Sequence, residues 1–281
     1  MKILVTGASG FIGSNLIPKL RICEYEIIEV NSSNGDVSDK STWAAFERAD
    51  FLIHLAGNTF VPDSWNNPDI YLKTNFHGTI CALDYCRRHN AKMIYLSSCL
   101  YGNTDILPIP ESAALIASNP YALSKKLAEE ACKFYSEFYD LKITTFRPFN
   151  VFGPGHSKKF LIPSIIGQVL KGKVITVCDL HPRRDYLYIE DLVDVIVKAV
   201  AMPLDSDVFN IGTGISYSVA NLIDIIQNVM GTNLKVKSTG ESRKGEIMDS
   251  QADISRVLEI MGWRPKFTLH NGLEEMLKKC G

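Results

Sequence analysis

No C-x-x-C pair occurs in this chain, no apolar run approaches the roughly 20 residues needed to cross a bilayer, and neither sign of charge prevails. Each shortage removes a class of function. The seven cysteines (23, 81, 86, 99, 132, 178 and 280) are odd in number and scattered. That argues against a disulfide framework or a zinc site, and most of them read as small buried hydrophobes. With 30 Lys+Arg against 31 Asp+Glu, no broad field gathers nucleic acid or an anionic membrane, so phosphate recognition has to be local. Met1-Lys2 leads straight into a strand that breaks at Thr6-Gly7. This is too short for the apolar segment of a signal peptide, and the chain reads as cytoplasmic. Internal repeats and low-complexity tracts are lacking too.

What is present begins at once. The apolar run Ile3-Leu4-Val5 feeds into Thr6-Gly7-Ala8-Ser9-Gly10-Phe11-Ile12-Gly13, a buried strand turning into a helix through glycines spaced to admit a pyrophosphate against bare N–H groups. Such a triplet is weak alone. Here an amphipathic segment Asn15 to Ile22 and a second strand-like run Tyr25 to Val30 complete a βαβ unit. Further strand-like runs at Asp50 to His54, Lys92 to Ser97 and Lys142 to Arg147 alternate with helical segments, which predicts a doubly wound parallel α/β sheet. Ligands of such sheets sit beyond the carboxyl ends of the strands. That gathers Gly7 to Gly13, Asn31, Ala56 to Thr59, Ser97 to Tyr101 and Pro148 to Asn150 at one edge.

With 281 residues and 46% hydrophobic composition the chain exceeds the usual single-domain size. The reading is a dinucleotide-binding domain over 1–150, to which a segment near 184–211 returns, and a smaller α/β substrate lobe over 151–281.

Asn119-Pro120-Tyr121 opens a helix that runs to Phe138, and places Tyr121 and Lys125 four apart on one face. Among 11 tyrosines such a pair carries little by itself. Beside Ser97 it suggests general acid and base work on an alcohol. Tyr121 takes the proton as hydride leaves the carbon, and Ser97 fixes the same oxygen. Lowering a phenol by about three units, which takes about 4 kcal/mol, is expected from a close ammonium and an oxidised nicotinamide.

At this point nearly the whole chain resembles the extended short-chain dehydrogenase/reductases, in particular the NAD-dependent epimerase/dehydratase family acting on nucleotide sugars. The matching strings are Thr6-Gly7-x-x-Gly10-x-x-Gly13, Gly35-Asp36-Val37, His54-Leu55-Ala56-Gly57, Asn75-x-x-Gly78-Thr79, Ser97-Ser98-x-x-Tyr101-Gly102, Tyr121-x-x-x-Lys125, Arg147-Pro148-x-Asn150-Val151-x-Gly153-Pro154, Arg184-Asp185-Tyr186 and Asn210-Ile211-Gly212. The resemblance implies catalysis by Ser97, Tyr121 and Lys125. It implies cofactor contacts from Gly7, Gly10, Phe11, Ile12, Gly13, Asn31, Asp36, Val37, Leu55, Ala56, Gly57, Thr59, Asn75, Tyr121, Lys125 and Pro148. Substrate contacts are implied for Ser98, Cys99, Asn150, Arg184 and Arg243, with no metal, and a homodimer built on the helices around 70–88 and 121–138.

Two departures narrow the chemistry. Where dehydratases of the family carry Asp and Glu, this chain has Ser98 and Cys99, and serine is a poor general acid. The Ser-Ser-Cys string resembles the GDP-fucose synthase branch, whose proton-transferring histidine is matched here by Phe160, so Cys99 is expected to shape the pocket. What remains is oxidoreduction at C4 of a nucleoside-diphosphate sugar: a 4-epimerase that keeps NAD, or alternatively a 4-keto-6-deoxy sugar reductase. A non-catalytic dinucleotide-binding protein would not need the intact Ser97, Tyr121 and Lys125. Asn31 replaces the usual ribose-binding acid, and no Lys or Arg follows it before Lys40, which favours NAD over NADP.

Overall fold

The computed structural model describes residues 1–241 and 245–280. Two compact units divide the chain, the first made of Met1–Leu100, Ala114–Pro148 and Val193–Phe209, the second of Tyr101–Ala113, Phe149–Leu192 and Asn210–Gly281. The chain begins with β1 (Lys2–Thr6), α1 (Phe11–Ile22), β2 (Glu26–Val30), α2 (Lys40–Ala44), β3 (Phe51–His54), α3 (Val61–Asn66) and α4 (Pro68–Tyr71). A π-helical turn over Leu72–His77 then leads into α5 (Gly78–His89), β4 (Lys92–Leu96), α6 (Pro120–Tyr139) and β5 (Ile143–Pro148). Neighbouring strands from β2 to β5 pair in parallel, and their side chains are almost continuously buried from β3 onward. Burial on both faces explains why these strands read as apolar runs without alternation.

The remaining elements are β6 (Asn150–Phe152), α7 (Leu161–Leu170), β7 (Ile175–Val177), β8 (Arg183–Tyr188), α8 (Ile189–Ala201), β9 (Asp207–Ile211), β10 (Ser216–Ser218), α9 (Val219–Val229), β11 (Val236–Ser238), α10 (Ser255–Met261) and α11 (Leu269–Cys280). The main sheet has the order β2-β1-β3-β4-β5-β9. Strand order reverses on either side of β1, so the glycine turn that follows β1 lies at the switch point, where such sheets open a crevice.

Two boundaries differ from the sequence reading. Tyr101–Ala113 groups with the second unit, and the returning segment begins at Val193 rather than near 184. The reason is pairing. Arg184-Asp185-Tyr186 lies in β8, which is hydrogen-bonded to β6 and β10 in a separate three-stranded sheet.

Asp185 shows why that motif carries an acid. Its fully buried carboxylate accepts from the Thr213 N–H (2.8 Å) and hydroxyl (2.6 Å), the Gly214 N–H (2.9 Å) and the Ala252 N–H (3.2 Å). Burial pushes its pKa up and these donors oppose it. Truncation would strand several donors at once, so Asp185→Ala is expected to cost about 3 kcal/mol. Calorimetry should read this as a lowered Tm.

Candidate active site

The carboxyl ends of the parallel strands deliver the glycine turn after β1, Asn31 after β2, Leu55–Thr59 after β3 and Ser97–Leu100 after β4. Gly7 takes φ +68°, and a Cβ there would stand 2.9 Å from the Ala56 nitrogen. A Cβ on Gly13 would overlap the Gly7 carbonyl oxygen and stand 2.5 Å from that of Ala8. These positions close the turn tightly enough to present the start of α1. Gly10 caps that helix without a side-chain hydrogen bond, and no acid occupies its first turn. First-turn N–H groups have no partner within a helix, and the dipole adds partial positive charge. The turn therefore fits a pyrophosphate, and the residues that would hold it are Gly10, Phe11, Ile12 and Gly13.

Helix α6 starts as the sequence predicts, with Asn119 accepting from the Ala122 N–H at 2.8 Å and Pro120 in the first turn. Lys125 is buried, and its ammonium donates to the Leu96 carbonyl at 2.7 Å, over the Tyr95 ring. The same ammonium lies beside Gly57, where a Cβ would be 3.6 Å from Nζ. Tyr121 is half-buried, with Tyr71 edge-on at 6.4 Å between centroids. The Ser98 side chain lies near enough to the phenol to favour its ionised form.

The electrostatics of the chain alone favour the neutral phenol. Desolvation pushes the Tyr121 phenol up to about 12, with the Ser98 side chain opposing. Burial also pushes Lys125 down to about 8, against the nearby Glu129 carboxylate. The ammonium gives one of its three donors to Leu96 and does not by itself hold a phenolate. The resting pair at neutral pH is a protonated phenol and a mostly charged amine. Ionising the phenol requires a further cation, which an oxidised nicotinamide supplies when bound.

Ser97 follows the last residue of β4. Its buried hydroxyl donates to Glu129 Oε1, while its neighbour Ser98 lies near the phenol. Asn75 is a clamp. It accepts from the Asn58 N–H at 2.7 Å and donates to the Asn58 carbonyl and the Ser124 hydroxyl, both at 2.9 Å. It thereby ties the π-helical turn and the loop after β3 to the catalytic helix, a usual setting for π-helical turns.

Asn31 closes its own turn, its side-chain oxygen accepting from the Ser33 N–H at 3.0 Å and hydroxyl at 2.5 Å. The Ser38 N–H and hydroxyl together with Lys73 hold Asp36 down at about 2. Val37 is buried, Leu55 and Ala56 are half-buried and Thr59 is exposed. Pro148 ends β5 and its carbonyl receives the Cys99 N–H at 3.2 Å.

In the second unit, Asn150 opens β6. Arg184 pairs with Glu246 and donates to the carbonyls of Arg183 (2.8 Å) and Ile247 (2.6 Å). Phe160 stacks on His156 at 4.3 Å. Arg243 lies outside the described residues. The sequence reading assigned no role to Glu129, one turn after Lys125, or to Arg147 of the Arg147-Pro148 string, a charged residue inside a wholly buried strand, which is itself a signal.

Residues 3–212 match the NAD dependent epimerase/dehydratase family. A GDP-6-deoxy-D-talose 4-dehydrogenase from Aggregatibacter actinomycetemcomitans is 32% identical over 99% of this chain and 97% of its own length. Among solved structures, the UDP-glucose 4-epimerase of Thermotoga maritima with UDP-glucose is similar with a TM-score of 0.92 and 27% identity, covering 99% of this chain and 98% of that one. RMD of Pseudomonas aeruginosa complexed with NADPH follows with a TM-score of 0.90 and 27% identity, covering 99% and 97%.

Proposed function

We propose that this chain, which belongs to the NAD dependent epimerase/dehydratase family and is an NAD(P)-dependent enzyme, interconverts the C4 epimers of a nucleoside-diphosphate sugar through a 4-keto sugar. The observation that supports this reading is that Tyr121 and Lys125 stand one turn apart on α6, with Lys125 reaching the Leu96 carbonyl at the carboxyl end of β4 and with Ser98 and Cys99 where a dehydratase would need carboxylic acids. Tyr121 withdraws the carbinol proton as the C4–H bond breaks, and returns it when the ketone is reduced on its other face. Lys125 stabilises the negative charge that grows on the phenol oxygen. Arg184 is assigned to the substrate diphosphate, where a guanidinium already oriented by Glu246 suits bidentate pairing. Arg243, Asn150 and Cys99 are assigned to the same substrate.

A second reading rests on a specific observation. A phenol pushed up to about 12 is a proton donor at rest, which suits reduction of a 4-keto-6-deoxy sugar. Incubation with UDP-glucose and a GDP-6-deoxyhexose, followed by proton NMR without added cofactor, separates the two. Formation of a C4 epimer supports the epimerase. Conversion of a 4-keto sugar only when NAD(P)H is supplied supports the reductase. We assign NAD as the cofactor, because residues 31–34 (Asn-Ser-Ser-Asn) offer no cation to a 2′-phosphate. Tighter NADP binding in calorimetry would reverse that assignment.

A pH dependence follows from Lys125. Its folded pKa lies below the usual lysine value, so it is charged below about 8 and neutral above. Both directions of proton transfer use the charged form, so kcat/KM is expected to fall as pH rises through about 8.

We assign the dimer interface to α6. Its buried face carries Ala122, Lys125, Ala128, Glu129 and Cys132, yet Leu123, Phe134 and Phe138 form a second apolar stripe turned to solvent. Phe138 is 67% exposed, and apolar stripes of this kind mark association surfaces. Light scattering should find a dimer in the parent protein and a monomer in Phe134→Glu/Phe138→Glu. A monomeric parent would contradict the assignment.

A further inference from the structure

Beneath the proton-transfer residues lies a buried ion pair that the chemistry described so far does not use. Tyr121, Lys125 and Glu129 follow one another at intervals of four along α6, so they share a face. Glu129 is gripped by Arg147 of β5, whose Nε lies 3.1 Å from both carboxylate oxygens and whose Nη2 lies 2.7 Å from Oε2. Their side chains are only 7% and 9% exposed. Burying two charges is a poor route to stability, because desolvation offsets most of their attraction.

What the pair does locally is more specific. The carboxylate receives the Ser97 hydroxyl and sits one helical turn from the Lys125 ammonium. Since a carboxylate can only accept, the Ser97 proton points at Glu129 and the serine oxygen is left with its acceptor side for other donors. We propose that Glu129, held by Arg147, is a positioning residue of this site, which fixes the orientation of the Ser97 hydroxyl and keeps the neighbouring Lys125 amine in its ammonium form. This rests on the oxidoreductase reading above.

The groups around Lys125 permit that role. His54 on β3 lies close enough to be affected by the Lys125 charge, and its own burial pushes it down to about 3, which leaves it neutral. Tyr95 on β4 presents its ring, and burial pushes its hydroxyl up. Cys132 on α6 is pushed up likewise. Arg147 on β5 faces the carboxylate. Glu129 is therefore the charged anion that favours the ammonium against burial.

The test compares Glu129→Gln with Glu129→Leu/Arg147→Met. The double variant removes both charges together and so keeps the fold where a single loss leaves a buried charge unpaired. Two readouts are used. Nitrogen-15 NMR of the lysine side chains, assigned with Lys125→Met, gives the Lys125 midpoint without any substrate; steady-state kinetics gives kcat and KM.

Expected results are a midpoint lowered by about one pH unit, a tenfold loss of proton affinity, in Glu129→Gln, still lowered in the double variant. Both should show kcat reduced about 10- to 100-fold with KM changed less than about twofold. A double variant with parental Tm, an unmoved Lys125 midpoint and parental kcat would overturn the proposal and leave the pair a packing element. Should the parent turn over no nucleotide sugar while the Lys125 midpoint still falls in Glu129→Gln, the substrate reading fails and the role of Glu129 stands.

Discussion

Tyr121→Phe is expected to lower turnover of the nucleotide sugar by about 10²–10⁴-fold, the usual worth of a positioned proton-transfer group. The variant removes one oxygen and retains the ring that packs edge-on against Tyr71. Fold and cofactor binding should therefore persist. KM should change little, because the interaction lost is one made chiefly in the transition state. The direction of proton flow also bears on the size of the effect. Burial holds the phenol at about 12, and its described neighbours are poor substitutes: His54 is neutral and bonded to the Thr6 hydroxyl at 2.8 Å, and the Ser98 hydroxyl is a poor acid. Steady-state rates with matched circular dichroism spectra check this. Activity within a few fold of the parent would remove Tyr121 from the mechanism.

Gly13→Ala is expected to weaken dinucleotide binding by about 100-fold or more, the scale associated with displacing a site by about 1 Å. The added methyl cannot be accommodated by a flexible neighbour. It meets the backbone carbonyls of Gly7 and Ala8, so either α1 withdraws from the turn or the turn opens, and both displace the N–H groups that face the pyrophosphate. Gly7 would then be disturbed as well, since its φ of +68° depends on the same closure. Calorimetric titration with NAD and NADP, alongside a thermal melt to confirm folding, reads the effect. Parental affinity in a folded variant would mean that the cofactor does not use this turn.

Much of this was legible in the residues. Buried parallel strands need long apolar runs, and β1, β3, β4 and β5 have them. The glycine turn, the Asn119-Pro120 helix start and the Tyr121–Lys125 spacing are local signals, fixed within one turn or one strand. What could not be read depends on distant partners. That the Ser97 hydroxyl meets Glu129 of α6 follows from packing across 32 residues of sequence. Asn75 was recognised as a polar residue inside a helix, but its partners Asn58 and Ser124 lie 17 and 49 residues away. The resting charge state of Tyr121 depends on burial, which raises the phenol and which spacing along a helix does not reveal. The Arg184-Asp185-Tyr186 string marked an important place, yet only the hydrogen bonds of Asp185 to Thr213, Gly214 and Ala252 show that its acid is structural.

Deuterium placed at C4 of a nucleotide sugar follows the reacting bond itself. Mass spectrometry and NMR of the product should find the label still at C4 after the configuration inverts, with no exchange into water, because the hydride leaves and returns within one site while Tyr121 moves only the hydroxyl proton. Label washed out to solvent, or an inverted centre other than C4, would contradict oxidoreduction at that carbon.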